Sequence, residues 1–247
     1  AMRELLEGFV PGLPQPAVEA ILARADGIPL YAVETIRSLV AEGRLERRDG
    51  AYRPVGDLDT LAIPDTLRSL IAARLDAIDP ADSGLIQDAS VLGQTFTLAG
   101  LAAVTGSEEA DLEQRLRGLV RRELLDLEAD PRSPERGQYK FVQSLIREVA
   151  YGTLARRERR ARHLAVARYY ETLGEEELAG ALATHYLAAH QASAEGAEAD
   201  AVAIQARLAL GGAAARAASL GAHDQAVAYL VQALEVTADP AERGGLL

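Results

Sequence analysis

Apolar positions recur at helical spacing along most of this chain. Val18, Ile21, Leu22 and Ala25 mark one face of a helix predicted over residues 14–26, and Gly27 with Pro29 ends it. A second helix is predicted from Leu30 to Glu42, with Val33, Ile36, Leu39 and Val40 on one face and Gly43 as its stop. Arg44 to Arg53 then reads as two short extended pieces around Asp49-Gly50, a dipeptide suited to a hairpin turn. Pro54 to Pro64 is polar, carries Gly56 and lacks a period, so it reads as a linker with a domain boundary near residue 60.

Beyond Pro64 the pattern predicts helices over Asp65–Ile78, Pro80–Leu92, Leu98–Val104 and Glu108–Glu123, the last with Ser107 as N-cap and an acidic first turn. Leu124–Glu128 and Gln138–Val142 are short strand candidates flanking a polar tip with Pro131, Pro134 and Gly137. Helices followed by a two-stranded ribbon with a protruding loop form a winged-helix pattern. From Ser144 the chain reads as helix to its end: Ser144–Leu154, Arg157–Leu173, Glu176–Gln191, Asp200–Leu220 and His223–Val236, with breaks at Gly174, at 193–196 and at Gly221. Antiparallel helices joined by short turns suggest a solenoid. The expected fold is therefore mainly α: a small helical subdomain with a hairpin over 1–59, a winged-helix domain with a short β-ribbon over 60–155, and an α-solenoid segment over 156–247.

Composition agrees with a helical reading. Hydrophobic residues make up 49% of the chain but aromatics only 4%, so the core must be built from Ala, Leu and Val. The net charge of -11 disfavours a nucleic-acid partner, because phosphate binding needs clustered cations. The densest basic run, Arg156 to Arg162, and the arginines of the 111–122 helix keep a DNA-binding reading in view; acidic Glu108, Glu109, Asp111 and Glu113 oppose it. With no cysteine there is no disulfide framework and no thiolate site, which fits an intracellular chain. The most apolar tract, 201–220, is interrupted by Arg207 and Arg216, so no membrane span is expected, and a cytoplasmic location is.

Little in the sequence points to catalysis or metal binding. His185 and His190 stand five apart, about 140° around a helix axis, which keeps both off one face. Neither a Gly-x-Ser-x-Gly elbow nor a His-Glu-x-x-His pair occurs. The only lysine, Lys140, follows Tyr139, so no phosphate-binding Gly-Lys loop is present and no nucleotide hydrolysis is expected from these residues alone. Gly27-Ile28-Pro29 reads locally as one helix stopping and the next starting, and Gln143 as a cap at a strand-to-helix junction.

Two resemblances add to this. Gly221 to Glu235, with Ala226, Leu230 and Ala233 at its packing positions, resembles the turn and second helix of a tetratricopeptide repeat. Three further segments, Gly27-Ile28-Pro29-Leu30-Tyr31-Ala32-Val33-Glu34, Ile63 to Asp76 and Tyr139 to Tyr151, occur in an order that resembles the C-terminal half of the signal-transduction ATPases with numerous domains. These include bacterial regulators of the LuxR type and ATPases associated with adenylate or guanylate cyclases, and the likeness spans roughly residues 5–240.

The resemblance implies a longer parent protein whose upstream core grips ATP or ADP with Mg. Pro29 would lie against adenine, and Gln143, two residues after Phe141, would face the diphosphate from the winged helix. Family members often have histidine there; the amide of Gln143 can still donate a hydrogen bond but adds no charge. The expected function is a non-catalytic regulatory and protein-interaction portion of a nucleotide-dependent signalling protein, whose partners are the upstream core and proteins received by the helical repeats. The alternatives are a DNA-binding winged-helix regulator and a passive repeat scaffold.

Overall fold

The computed structural model describes residues 2–25, 29–41, 43–48, 51–55, 65–130, 132–133 and 135–237. It is mainly helical, with one two-stranded and one three-stranded antiparallel sheet among the described residues. The chain divides into two compact units, residues 1–80 with 143–149 and residues 81–142 with 150–247.

The first unit begins with α1 (Met2–Phe9), α2 (Gln15–Ala25) and α3 (Pro29–Ala41), which pack on one another. Buried positions at helical spacing, Leu6 on α1, Val18, Ile21 and Ala25 on α2 and Ala32, Ile36 and Leu39 on α3, form the core face, whereas Val40, expected on that face, is exposed. Pro29 opens α3 where its missing N–H costs no helical bond. Strands β1 (Leu45–Arg48) and β2 (Ala51–Pro54) pair antiparallel with Arg48 opposite Ala51, while Asp49 and Gly50 lie outside the described residues. The linker expected over 54–64 also falls almost wholly outside them. After it comes α4 (Asp65–Asp76), which buries Ile71 and Leu75.

In the second unit, α5 (Pro80–Leu92) leads to β3 (Thr95–Phe96), α6 (Leu98–Thr105), α7 (Glu109–Arg121), β4 (Leu125–Leu127) and β5 (Tyr139–Phe141). The sheet order is β3-β5-β4, and β3 was not expected from the sequence. Its Phe96 stacks on Tyr139 at 5.8 Å and tilts against Phe141 at 6.0 Å, placing three of the chain's few aromatics in one cluster. Helix α7 buries Leu112, Leu116 and Leu119 on one stripe. Its N-cap is Glu108, with no side-chain cap bond, whereas the expected cap Ser107 gives its N–H to Thr105 Oγ1. Thr97 does cap α6, accepting from the Gly100 N–H at 3.0 Å.

Helix α8 (Ser144–Thr153) straddles the division between the units. Then α9 (Arg156–Leu173), α10 (Ala179–Gln191), α11 (Ala197–Ser219) and α12 (His223–Glu235) follow, with α10 packed on α9, α11 on α10 and α12 on α11. The first three residues of the helix expected over 176–191 form a separate 3-10 turn, Glu176–Leu178. Gly174 reverses the chain after α9 in the left-handed region, φ 64°, where a side chain would be strained. The contact layer of α11 is Val202, Ala206, Leu210, Ala213, Ala214 and Ala217; small residues let neighbouring helices approach closely, and this replaces aromatic filling.

Candidate functional site

The two residues singled out from the sequence both lie in the first unit. Pro29 is exposed at the first position of α3. Two positions on, Tyr31 is 5% exposed, and its hydroxyl donates to Oε1 of half-buried Gln143 at 2.8 Å. That donation sets the amide's orientation: the oxygen is engaged by Tyr31, leaving the NH2 as the group able to donate elsewhere. The backbone carbonyl of Gln143 accepts from the Ile146 N–H at 3.1 Å, so the residue also opens α8. Leu145 and Ile146, buried directly after it, anchor the junction. The arrangement thus joins the start of α3 to the start of α8 through one phenol–amide bond. It offers an exposed proline ring and an amide donor.

The basic run in the second unit has specific tasks. Arg156 donates to the carbonyls of Gln191 and Ser193 at the end of α10, and Arg159 to the Gly152 carbonyl at the end of α8 while lying 4.8 Å over the Tyr151 ring. Arg160 pairs with Glu198 at 3.1 Å, and Arg162 with Asp88. Burial raises the Asp88 carboxyl above its ordinary value against the opposing pull of Arg162. These arginines hold α9 to its neighbours. On α7, Arg117 pairs with Glu113 at 3.8 Å and Arg115 approaches Asp82 at 4.0 Å. A cleft of about 650 Å³ beside Asp88 is lined by both signs of charge, Asp88 and Asp111 with Arg115.

A cluster missed in the sequence lies between α8, α9 and α10. His163 and His185 are each 6% exposed, with their Nδ1 atoms 2.9 Å apart, and Tyr151 Oη lies 2.9 Å from His163 Nε2. The Tyr170 ring meets His185 edge-on at 5.5 Å. Sequence reasoning compared His185 with His190 on its own helix, whereas the partner is on the preceding one. The available signal was the hairpin: His163 and His185 each stand eleven positions from Gly174, so an antiparallel pair turning there brings them level.

Comparison with protein-family models, with curated proteins and with solved structures found no match. Among the described residues, no group of three or more His, Cys, Asp or Glu side chains could hold a metal ion. Nor is any described helix long and apolar enough to cross a membrane.

Proposed function

We propose that this chain is a regulatory and protein-interaction portion of a longer nucleotide-dependent signalling protein, carrying no catalytic site itself. Pro29 and Gln143 would face ATP or ADP held with Mg by an ATPase core upstream in the same polypeptide. The observation that carries this reading is the Tyr31–Gln143 hydrogen bond, which ties α3, the helix that Pro29 opens, to the residue two beyond Phe141. Those are the two segments that the resemblance assigns to the nucleotide.

In this reading α5 to α7 with the β4–β5 ribbon act as a winged helix that follows the state of the nucleotide. Helices α9 to α12 act as the start of a tetratricopeptide-like array that receives a protein partner. Support for the second role is the set of exposed aliphatic side chains on α11 and α12, Ile204, Leu208, Val227 and Val231. A switch of this kind needs contacts that differ between two states, and a nucleotide bridging a core to Gln143 supplies them. The effector of the parent would be a class III nucleotide cyclase or a transcription regulator.

The DNA-binding alternative finds less support, because the basic run is spent on helix ends and ion pairs within the chain. Limited proteolysis of the polypeptide extended upstream separates the readings. ADP should change the rate of cleavage within residues 129–138 several-fold. A cleavage pattern indifferent to bound ADP would support a passive scaffold, and a duplex-DNA mobility shift that weakens with salt would support the DNA-binding regulator.

A further inference from the structure

We propose that the buried His163–His185 pair is a proton-operated latch between α9 and α10, closed while the two rings share one hydrogen and opened by acid. At 2.9 Å between Nδ1 atoms, one nitrogen must donate and the other accept. In the neutral pair this works in either sense. If His163 donates, its Nε2 accepts from the Tyr151 hydroxyl; if His185 donates, His163 carries its hydrogen on Nε2 and gives it to Tyr151 Oη.

One further proton is tolerated, because Tyr151 can turn from donor to acceptor while the bond between the two Nδ1 atoms persists. A second is not. It would place a hydrogen on both facing nitrogens and two cations side by side in a site that is 6% exposed at each residue. The contact must then break, and α9 and α10 are the helices it joins.

The surroundings define the response. From α8 the ring of Tyr151 meets His163 edge-on at 5.8 Å, and Arg159 of α9 lies 4.8 Å over the Tyr151 ring. From α9, Tyr170 abuts His185 and is itself against Tyr169, and Arg162, next to His163, is held by Asp88 of α5. Helix α6, packed on α9, contains no ionisable residue. Along α10, Tyr186 gives its hydroxyl to Glu171, and His190 Nδ1 lies 3.4 Å from the Ala199 carbonyl. Helix α11, packed on α10, carries Glu198 paired with Arg160, Arg216 paired with Glu176 and Glu177, exposed Asp200 and half-buried Arg207.

Free imidazoles titrate near pH ~6.5, so once released both rings charge. The open form then binds at least one proton more than the closed form, and the open-to-closed ratio rises about tenfold per pH unit on acidification below that point.

The test uses the whole chain. Ring 15N spectra of the histidines are recorded from pH 7.5 to 5 together with amide exchange in α9 and α10. Expected is uptake of no more than one proton by the pair while α9 and α10 stay protected, with the second appearing only as their protection falls. Two fully charged rings in a chain whose α9 and α10 amides remain protected would overturn the latch. In parallel, the pH dependence of urea unfolding is compared with His185→Asn, which keeps a side-chain acceptor for His163. Wild type should lose stability more steeply between pH 6.5 and 5, by about one proton. Equal slopes would overturn the latch, and if the variant does not fold, the ring spectra of the wild type decide alone.

Discussion

Tyr31 and Gln143 stand 112 positions apart in the chain, and the phenol of the first donates to the side-chain oxygen of the second at 2.8 Å. This bond links the Pro29 helix to the start of α8, and it orients the amide donor of Gln143. A double-mutant cycle of Tyr31→Phe and Gln143→Ala isolates it from the other contacts of Tyr31. A coupling of about 0.5–1.5 kcal/mol is expected from urea unfolding, as for a part-buried neutral hydrogen bond.

Gly12 joins α1 to α2 at φ 79°, and a Cβ built there would stand 2.5 Å from the Ala51 Cβ and 3.3 Å from its Cα. Neither neighbouring atom can swing aside, since one is backbone and the other is fixed to it. Gly12→Ala should therefore destabilise the first unit by about 2 kcal/mol or more, from left-handed strain and overpacking together. The measurement is the urea midpoint, with Gly8→Ala, whose added Cβ meets nothing within 4 Å, as the control that should not lower it.

Tyr186 should ionise late. Burial, with the Glu171 carboxylate accepting its hydroxyl, pushes its pKa up to about 12. The folded value lies above the unfolded one near 10, so this contribution to stability is complete below pH 10 and is lost as pH rises toward 12. Absorbance at the tyrosinate band should show a late step that Tyr186→Phe removes, and the variant should lose less stability between those pH values.

Asp88 behaves in the opposite sense from an ordinary paired carboxylate. Desolvation raises its pKa despite Arg162, so the folded chain holds the proton more tightly than the unfolded chain. Its contribution is most favourable below the unfolded value of 3.8 and declines as pH rises through the raised folded value. Compared with Asp88→Asn by urea unfolding, wild type should gain relative stability as pH falls through that window.

The helical pattern of the fold was readable because most helices bury a stripe long enough to repeat: α2, α3, α7 and α9 to α12 lie within a few residues of the expected spans. Short elements left no such trace. Helix α1 has only 8 residues, and β3 has 2, fixed by pairing with β5 rather than by any alternation of its own. Ser107 failed as a cap because Thr105 Oγ1 takes its N–H and the chain enters α7 at Glu108. At the site, Pro29 and Gln143 were legible as positions, but Tyr31 was not, since a contact across 112 residues leaves no local spacing. The pairing of His163 with His185 needed the turn at Gly174 to be used as a fold in the chain, not merely as the end of a helix.

In the proposed function, Gln143 presents its amide to a nucleotide. The most direct measurement is the ADP dissociation constant of the polypeptide extended upstream, by calorimetry with Mg, for wild type, Gln143→Ala and Gln143→His. Expected is about tenfold weaker binding for the alanine variant, the loss of one hydrogen bond to a charged group, and binding at least as tight as wild type for histidine. Identical constants for all three, or no ADP binding by the extended wild type, would contradict it.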